Sequence, residues 1–145
     1  LEPKLGKRTM LVAVTITLTI SLIFIVAALS KIDNWSRDLN ENSAAVETTV
    51  SEPITAVASK IDHWADNASR WKIESKRELE GGWEYRLTRT TPLFRFVDDV
   101  KVRLASSDSG TTVKAESQSR LGKGDLGQNP RNLNELLGAI RGSGS

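Results

Sequence analysis

Apolar positions along this chain follow two regimes. From Thr9 to Leu29 they run unbroken as TMLVAVTITLTISLIFIVAAL, with no charged residue, no Pro and no Gly. A helix of that length rises about 31 Å, which crosses a hydrocarbon core of about 30 Å while satisfying its own backbone polar groups. Beyond Leu29 the apolar residues become periodic, and the period tells helix from strand. Ile54, Val57, Ala58, Ile61, Trp64 and Ala65 recur at spacings of three and four, predicting an amphipathic helix that starts at Pro53 and ends near Asp66-Asn67. Ser51 or Glu52 is expected to complement its N-terminus. Trp71, Ile73 and Ser75 then alternate with charged residues, as do Trp83, Tyr85 and Leu87. Gly81-Gly82 between the two runs predicts a hairpin, with Trp71 and Trp83 facing each other across it. Pro92 breaks the ladder. Phe96, Val97, Val100, Val102 and Leu104 predict a third strand, and Val113, Ala115 and Ser117 a fourth. A glycine-rich stretch then leads to Pro130 and a last helix carrying Leu133, Leu136, Leu137 and Ile140.

The expected architecture is α+β: an N-terminal transmembrane helix, then a small domain of helix, four-stranded antiparallel sheet and helix, with both helices on one face. The division along the chain is a basic tip at 1–8, the span at 9–30, a polar linker at 31–52, the domain at 53–141 and a flexible tail at 142–145. Within the linker, Trp35 is placed as an anchor at the membrane interface.

Charge changes one part of this picture. The net charge of +2 lies entirely in the tip, where Lys4, Lys7 and Arg8 outweigh Glu2. The rest carries equal numbers of acidic and basic residues, so no nucleic-acid groove is expected. Positive charge beside a span stays on the cytoplasmic side. That puts the N-terminus on the cytoplasmic or stromal side and the domain in the periplasm or the thylakoid lumen. A cleavable signal peptide is the competing reading; the length of the run and the lack of a small-residue cleavage site favour a retained single-pass helix. Inside the span Ala13, Thr17 and Ser21 share one face, as close packing against another helix requires; the alternative is that the hydroxyls simply bond the carbonyls four residues back in their own helix. The chain has no Cys and one histidine, His63, which excludes disulfides and leaves too few ligands for zinc.

One stretch goes beyond periodicity. Phe96, Asp98 and Asp99 lie in PLFRFVDDVKVRL; Ser117, Ser119, Arg120 and Gly122 follow on the next strand; Asp125, Gly127, Asn129 and Arg131 enter the last helix. This pattern resembles the family known as domain of unknown function 1499, over roughly residues 53–141. The resemblance implies the α+β fold and an exoplasmic or lumenal home, since members occur in bacteria and relatives in chloroplasts; it implies no reaction. Adjacent strand residues point to opposite faces, so Asp98 and Asp99 cannot pair for acid–base work. They are expected to be structural, one of them facing inward to pair with Arg95, Arg120 or Arg131. Gly122, Gly124 and Gly127 read as a tight loop with Asp125 or Asn129 capping the helix, and a small-anion cradle as the alternative.

These readings point to a non-catalytic protein with no cofactor or metal of its own. The first expectation is an accessory subunit of a larger membrane complex, a photosystem with its antennae being the preferred instance. Its partners would be that complex and the lipid bilayer, with pigments or lipids of neighbouring subunits within reach. The alternative is a membrane-anchored module binding a small ligand or lipid in a pocket between sheet and helices, lined by Trp71, Trp83, Phe94 and Arg120. A hydrolase using Asp98 or Asp99 comes third.

Overall fold

A computed structural model describes residues 6–29 and 41–142. The order is α1 (Lys7–Leu29), β1 (Ser43–Val50), α2 (Ile54–Asn67), β2 (Trp71–Leu79), β3 (Gly82–Thr90), β4 (Val97–Ser107), β5 (Gly110–Ser119) and α3 (Gln128–Arg141). The strands form one antiparallel sheet in the order β1-β5-β4-β3-β2. In α1, the stretch Arg8–Ala27 is long and apolar enough to cross a membrane. Thr15, Thr17 and Thr19 each donate a side-chain hydrogen bond to the carbonyl four residues back, within the helix.

The sheet has five strands, not four. The extra one, β1, lies in the stretch expected to be linker. Its sequence SAAVETTV hides it, because Ala44, Val46, Thr48 and Val50 are only half-buried and the alternate residues face water. It is an edge strand, held by full pairing with β5 from Ser43 opposite Gln118 to Val50 opposite Thr111. An edge strand with one wet face needs little hydrophobicity. Gly110 permits the close approach at its end: a Cβ there would sit 2.1 Å from Val50 O. The expectations for the tip at 1–5, for residues 30–40 with Trp35, and for the tail at 143–145 lie outside the described residues.

Both helices lie on one face of the sheet. Val57 and Ile61 of α2, and Leu136 and Ile140 of α3, are fully buried against Tyr85, Val102 and Val113. Each such side chain contributes about 1.5–3 kcal/mol by leaving water. The centre of the interior is filled, and the cavity between helices and sheet lies at its margin, where Trp64 of α2, Glu135 of α3 and Trp71 and Arg89 of the sheet line it. Trp71 and Trp83 do not face each other either: Trp71 stands opposite Arg89, and Trp83 opposite Glu78. The hairpin turn lies directly before Trp83, which puts the two indoles at opposite ends of the ribbon. Trp71 packs on Trp64, with ring centres 4.7 Å apart, and Trp83 lies beneath the Lys76 ammonium. At the start of α2, Pro53 is itself the cap and no side chain caps it. The Glu52 carboxylate accepts from Lys60 instead.

Candidate functional site

Where β4 and β5 meet the start of α3, the inner face turns polar. Asp98, Ser117 and Ser119 alternate inward on their strands, and Asn129 and Asn132, three apart on α3, descend onto them. Asn132 Nδ2 donates to Asp98 Oδ2 (2.9 Å) and Ser117 Oγ (3.1 Å), while its Oδ1 accepts from Gln128 (2.7 Å). Asn129 Nδ2 donates to Asn42 O (2.6 Å) and Ser119 Oγ (3.1 Å), and its Oδ1 accepts from Ser117 (2.6 Å). Both asparagines are fully buried. A satisfied buried network fixes one arrangement, since any slip would strand its polar groups away from water. Here it ties α3 to β4, to β5 and to the residue just before β1.

The helix start is built from the same segment. Asp125 accepts from the Gly127 N–H (2.8 Å) and the Asn129 N–H (2.7 Å), satisfying two donors of the first turn. Gly127 has φ 73°. Leu126 before it has φ 53°, and Arg95 on the loop joining β3 to β4 has φ 54°; these are the two non-glycine residues with positive φ among those described. Such backbone is strained and concentrates at functional loops. Arg131 Nη2 donates to Leu126 O (2.9 Å) and holds that turn. On the other loop, Thr91 N donates to Phe96 O (2.8 Å) and Phe96 N to Thr91 Oγ1 (2.9 Å).

Between these two loops lies a cavity of about 400 Å³. Phe94, Phe96, Leu121 and Leu126 give it a largely apolar wall, and Asp98, Ser119, Gly122, Gly124, Asp125, Gln128 and Arg131 line the rest. Phe96, Asp98, Ser119, Gly122, Asp125 and Arg131 of the sequence motif therefore meet at one cavity. Ser117, Asn129 and Gly127 support it from behind. Asp99 and Arg120 do not belong to it.

Those two lie on the outer face. Arg120 donates to both Asp99 oxygens, Nε at 2.9 Å and Nη2 at 2.7 Å, and this pairing holds the Asp99 carboxyl below its usual range. So the outward aspartate, not the inward one, takes the arginine. Glu84 is buried on the same outer face beneath Arg103, Lys101 and Arg77. Its pKa falls to about 2, first through the hydrogen bond from Arg103 and then through the charges of Lys101 and Arg77.

Of the four residues expected around a ligand, Phe94 lines the loop cavity, and Trp71 and Arg120 line an open cleft beside β2. Trp83 lines neither. Sequence reading also missed Arg89, which extends the inward alternation of Trp83, Tyr85 and Leu87. It is buried, and its Nη2 donates to Glu135 (3.3 Å), which also accepts from the Trp71 indole (2.8 Å). Arg89 Nε and Nη1 are buried with no partner among the described residues, and Arg89 lines the neighbouring cleft. Leu93 and Leu121 gave no signal either, because a single apolar residue in a loop has no periodicity. His63 is exposed on α2. No cluster of three or more His, Asp or Glu fit for a metal occurs among the described residues.

Comparison with known families places the polar network and both cavity loops inside one match. The family model described as protein of unknown function (DUF1499) covers residues 30–140. The chain belongs to this family. The match begins ahead of β1, in keeping with a DUF1499 domain that includes the fifth strand. No curated protein matches the chain. Among solved structures, protein MLL2253 from Mesorhizobium loti aligns at 13% identity over 70% of this chain and 95% of its own, with a TM-score of 0.47. Protein CV1439 from Chromobacterium violaceum aligns at 10% identity over 68% of this chain and 94% of its own, with a TM-score of 0.42.

Proposed function

We propose that this DUF1499 protein is a non-catalytic, single-pass membrane protein whose domain holds one amphiphile between its two loops. The observation that carries this reading is the apolar cavity of about 400 Å³ on which the family motif converges. Its volume lies in the range of small-molecule sites, and an apolar wall with a few polar groups is the usual composition of such sites. The acyl or other apolar body lies against Phe94, Phe96, Leu121 and Leu126. Ser119, Gln128 and Arg131 are the donors among the lining residues and favour a head rich in acceptor oxygens, Gln128 and Arg131 donating also to Asn132 and Leu126 O. Asp98 and Asp125 already accept hydrogen bonds from Asn132 and from the α3 backbone, which supports a structural role for both. In this reading α1 is retained as the anchor. The basic tip stays on the cytoplasmic or stromal side, and the domain faces the periplasm or thylakoid lumen.

Native mass spectrometry of the full chain released from detergent micelles tests this. One amphiphile per chain is expected, reduced at least tenfold in Phe96→Arg. Absence of any adduct, or equal adducts in parent and variant, overturns the reading, because the latter would place the lipid on α1.

A second reading keeps the chain as an accessory subunit of a membrane complex, a photosynthetic assembly being one instance. The observation favouring it is the exposed side of α1 that carries Ala13, Thr17 and Ser21; the Thr17 hydroxyl bonds Ala13 O within the helix (3.0 Å), which needs no partner. The Ala13–Thr17–Ser21 side of α1 then offers a smooth surface for close helix contact. Co-migration with a large assembly after gentle solubilisation, lost in Thr17→Leu, is its expected signature.

A further inference from the structure

The two cavity loops also have an outer surface. On it Leu93 is 68% exposed, Phe94 70% and Leu121 66%, with Phe96 and Leu126 beside them. Phe94 and Phe96 stack at 5.5 Å, giving a flat aromatic ridge. Contiguous exposed apolar side chains on loop tips mark a surface that something covers. Position within the chain says what that is. The chain enters the domain at Asn42, whose carbonyl accepts from Ser119 N (2.9 Å) and whose Nδ2 donates to Gly122 O (2.9 Å). The apolar loops thus sit beside the end of the domain that is tethered to α1.

Only residues 30–41 separate Leu29 from Asn42, a reach of at most about 45 Å at full extension. No other part of the domain is tied so closely to the membrane that α1 would cross. The opposite end, the turn at Asp108, lies about 30 Å further away along β4. Charge agrees with the placement. Arg95 and Lys123 flank the patch and make no ion pair among the described residues, whereas the nearby acids are engaged: Asp125 on the helix start and Asp99 on Arg120. Basic residues around an apolar tip suit an interface where acyl chains meet anionic headgroups.

We infer that the loops carrying Leu93, Phe94 and Leu121 dock into the headgroup–acyl boundary of the bilayer that α1 spans. This rests on α1 being a retained anchor, but not on the cavity holding an amphiphile.

The chain has no cysteine, so single labels can be placed cleanly. Leu93→Cys, Leu121→Cys, Asp108→Cys and Ile20→Cys versions of the full chain would each carry an environment-sensitive fluorophore. Each is reconstituted at one chain per vesicle or fewer into phosphatidylcholine with phosphatidylglycerol, with or without nitroxide lipid labelled high on the acyl chain. At least twofold quenching is expected at 20, 93 and 121, with little at 108. Quenching at 20 but no more at 93 and 121 than at 108 overturns the docking and leaves the anchor standing. No quenching at 20 overturns the anchor and the docking together. In a parallel sample at several chains per vesicle, labels at 93 and 121 that are shielded but unquenched, with a disulfide forming between unlabelled Leu93→Cys chains, would assign the patch to a second copy and overturn the lipid assignment. Adding Phe94→Glu to the Leu121→Cys chain should halve its quenching, and Phe94→Leu should preserve it. Equal quenching in all three would count against insertion.

Discussion

On the inner face of the sheet, Asp98 accepts a hydrogen bond from a buried asparagine; one residue later, on the outer face, Asp99 grips an arginine half exposed to water. The residue type is the same, and so are the strand and the family motif. What differs is the dielectric around each group. Inside, the alternative to a hydrogen bond is an unsatisfied polar atom, so every member of the Asp98–Asn132–Ser117–Asn129 network depends on the others. Outside, water stands ready to replace a lost partner, and exposed ion pairs contribute little. The polar inner corner is therefore expected to govern stability and the seating of α3, while the outer face governs response to pH and salt.

The strongest way to break this comparison is Asn129→Ala. It removes the partner of Ser117, Ser119 and Asn42 O at once, and should cost about 2–4 kcal/mol. The urea midpoint of the full chain in micelles, read from tryptophan fluorescence, should drop accordingly. A midpoint within error of the parent would mean that the network is not cooperative.

Glu84 tests the outer face at the one acid buried there among the described residues. Its folded pKa of about 2 lies below the ordinary glutamate value of 4.5. The stabilisation it gives is thus fully present above about pH 4.5 and is lost as pH falls towards 2. The difference in urea midpoint between parent and Glu84→Gln should be full at pH 7, shrink below pH 4.5 and vanish near pH 2. A difference independent of pH would refute the assignment.

The smallest effect is expected from Asp99→Asn. Its carboxyl is also held low by Arg120, but both partners are about half exposed. The midpoint at pH 7 should stay close to the parent's, and what change there is should fade in high salt. A loss comparable to that of Asn129→Ala would erase the distinction between the two faces.

Much of this fold is legible along the chain. Spacings of three and four mark α2 and α3, and alternation marks β2 to β5, because burial on one side imposes its period on the sequence. The long apolar run of α1 needs only counting. The opposite orientation of Asp98 and Asp99 follows from the strand period of two; that Asp125 or Asn129 serves the start of α3 follows from their place there, and the structure puts Gly127 at the cap position with Asp125 accepting the Gly127 and Asn129 N–H groups. Other features lie beyond local pattern. β1 is half-wet and poor in large side chains, so its identity comes from the hydrogen bonds β5 offers it. Trp71 meets Trp64 rather than Trp83 because the hairpin register puts the two strand indoles at opposite ends. The motif residues and Phe94 could be named from the sequence, but not the meeting of two loops around one cavity: Phe94 and Leu121 are 27 residues apart, and neither belongs to a periodic run. Sequence by itself determined the elements, since an element's exposure repeats within its own length. Tertiary structure decided which loops meet and which ends adjoin, since that depends on strand order and register, to which residues distant in the chain contribute together.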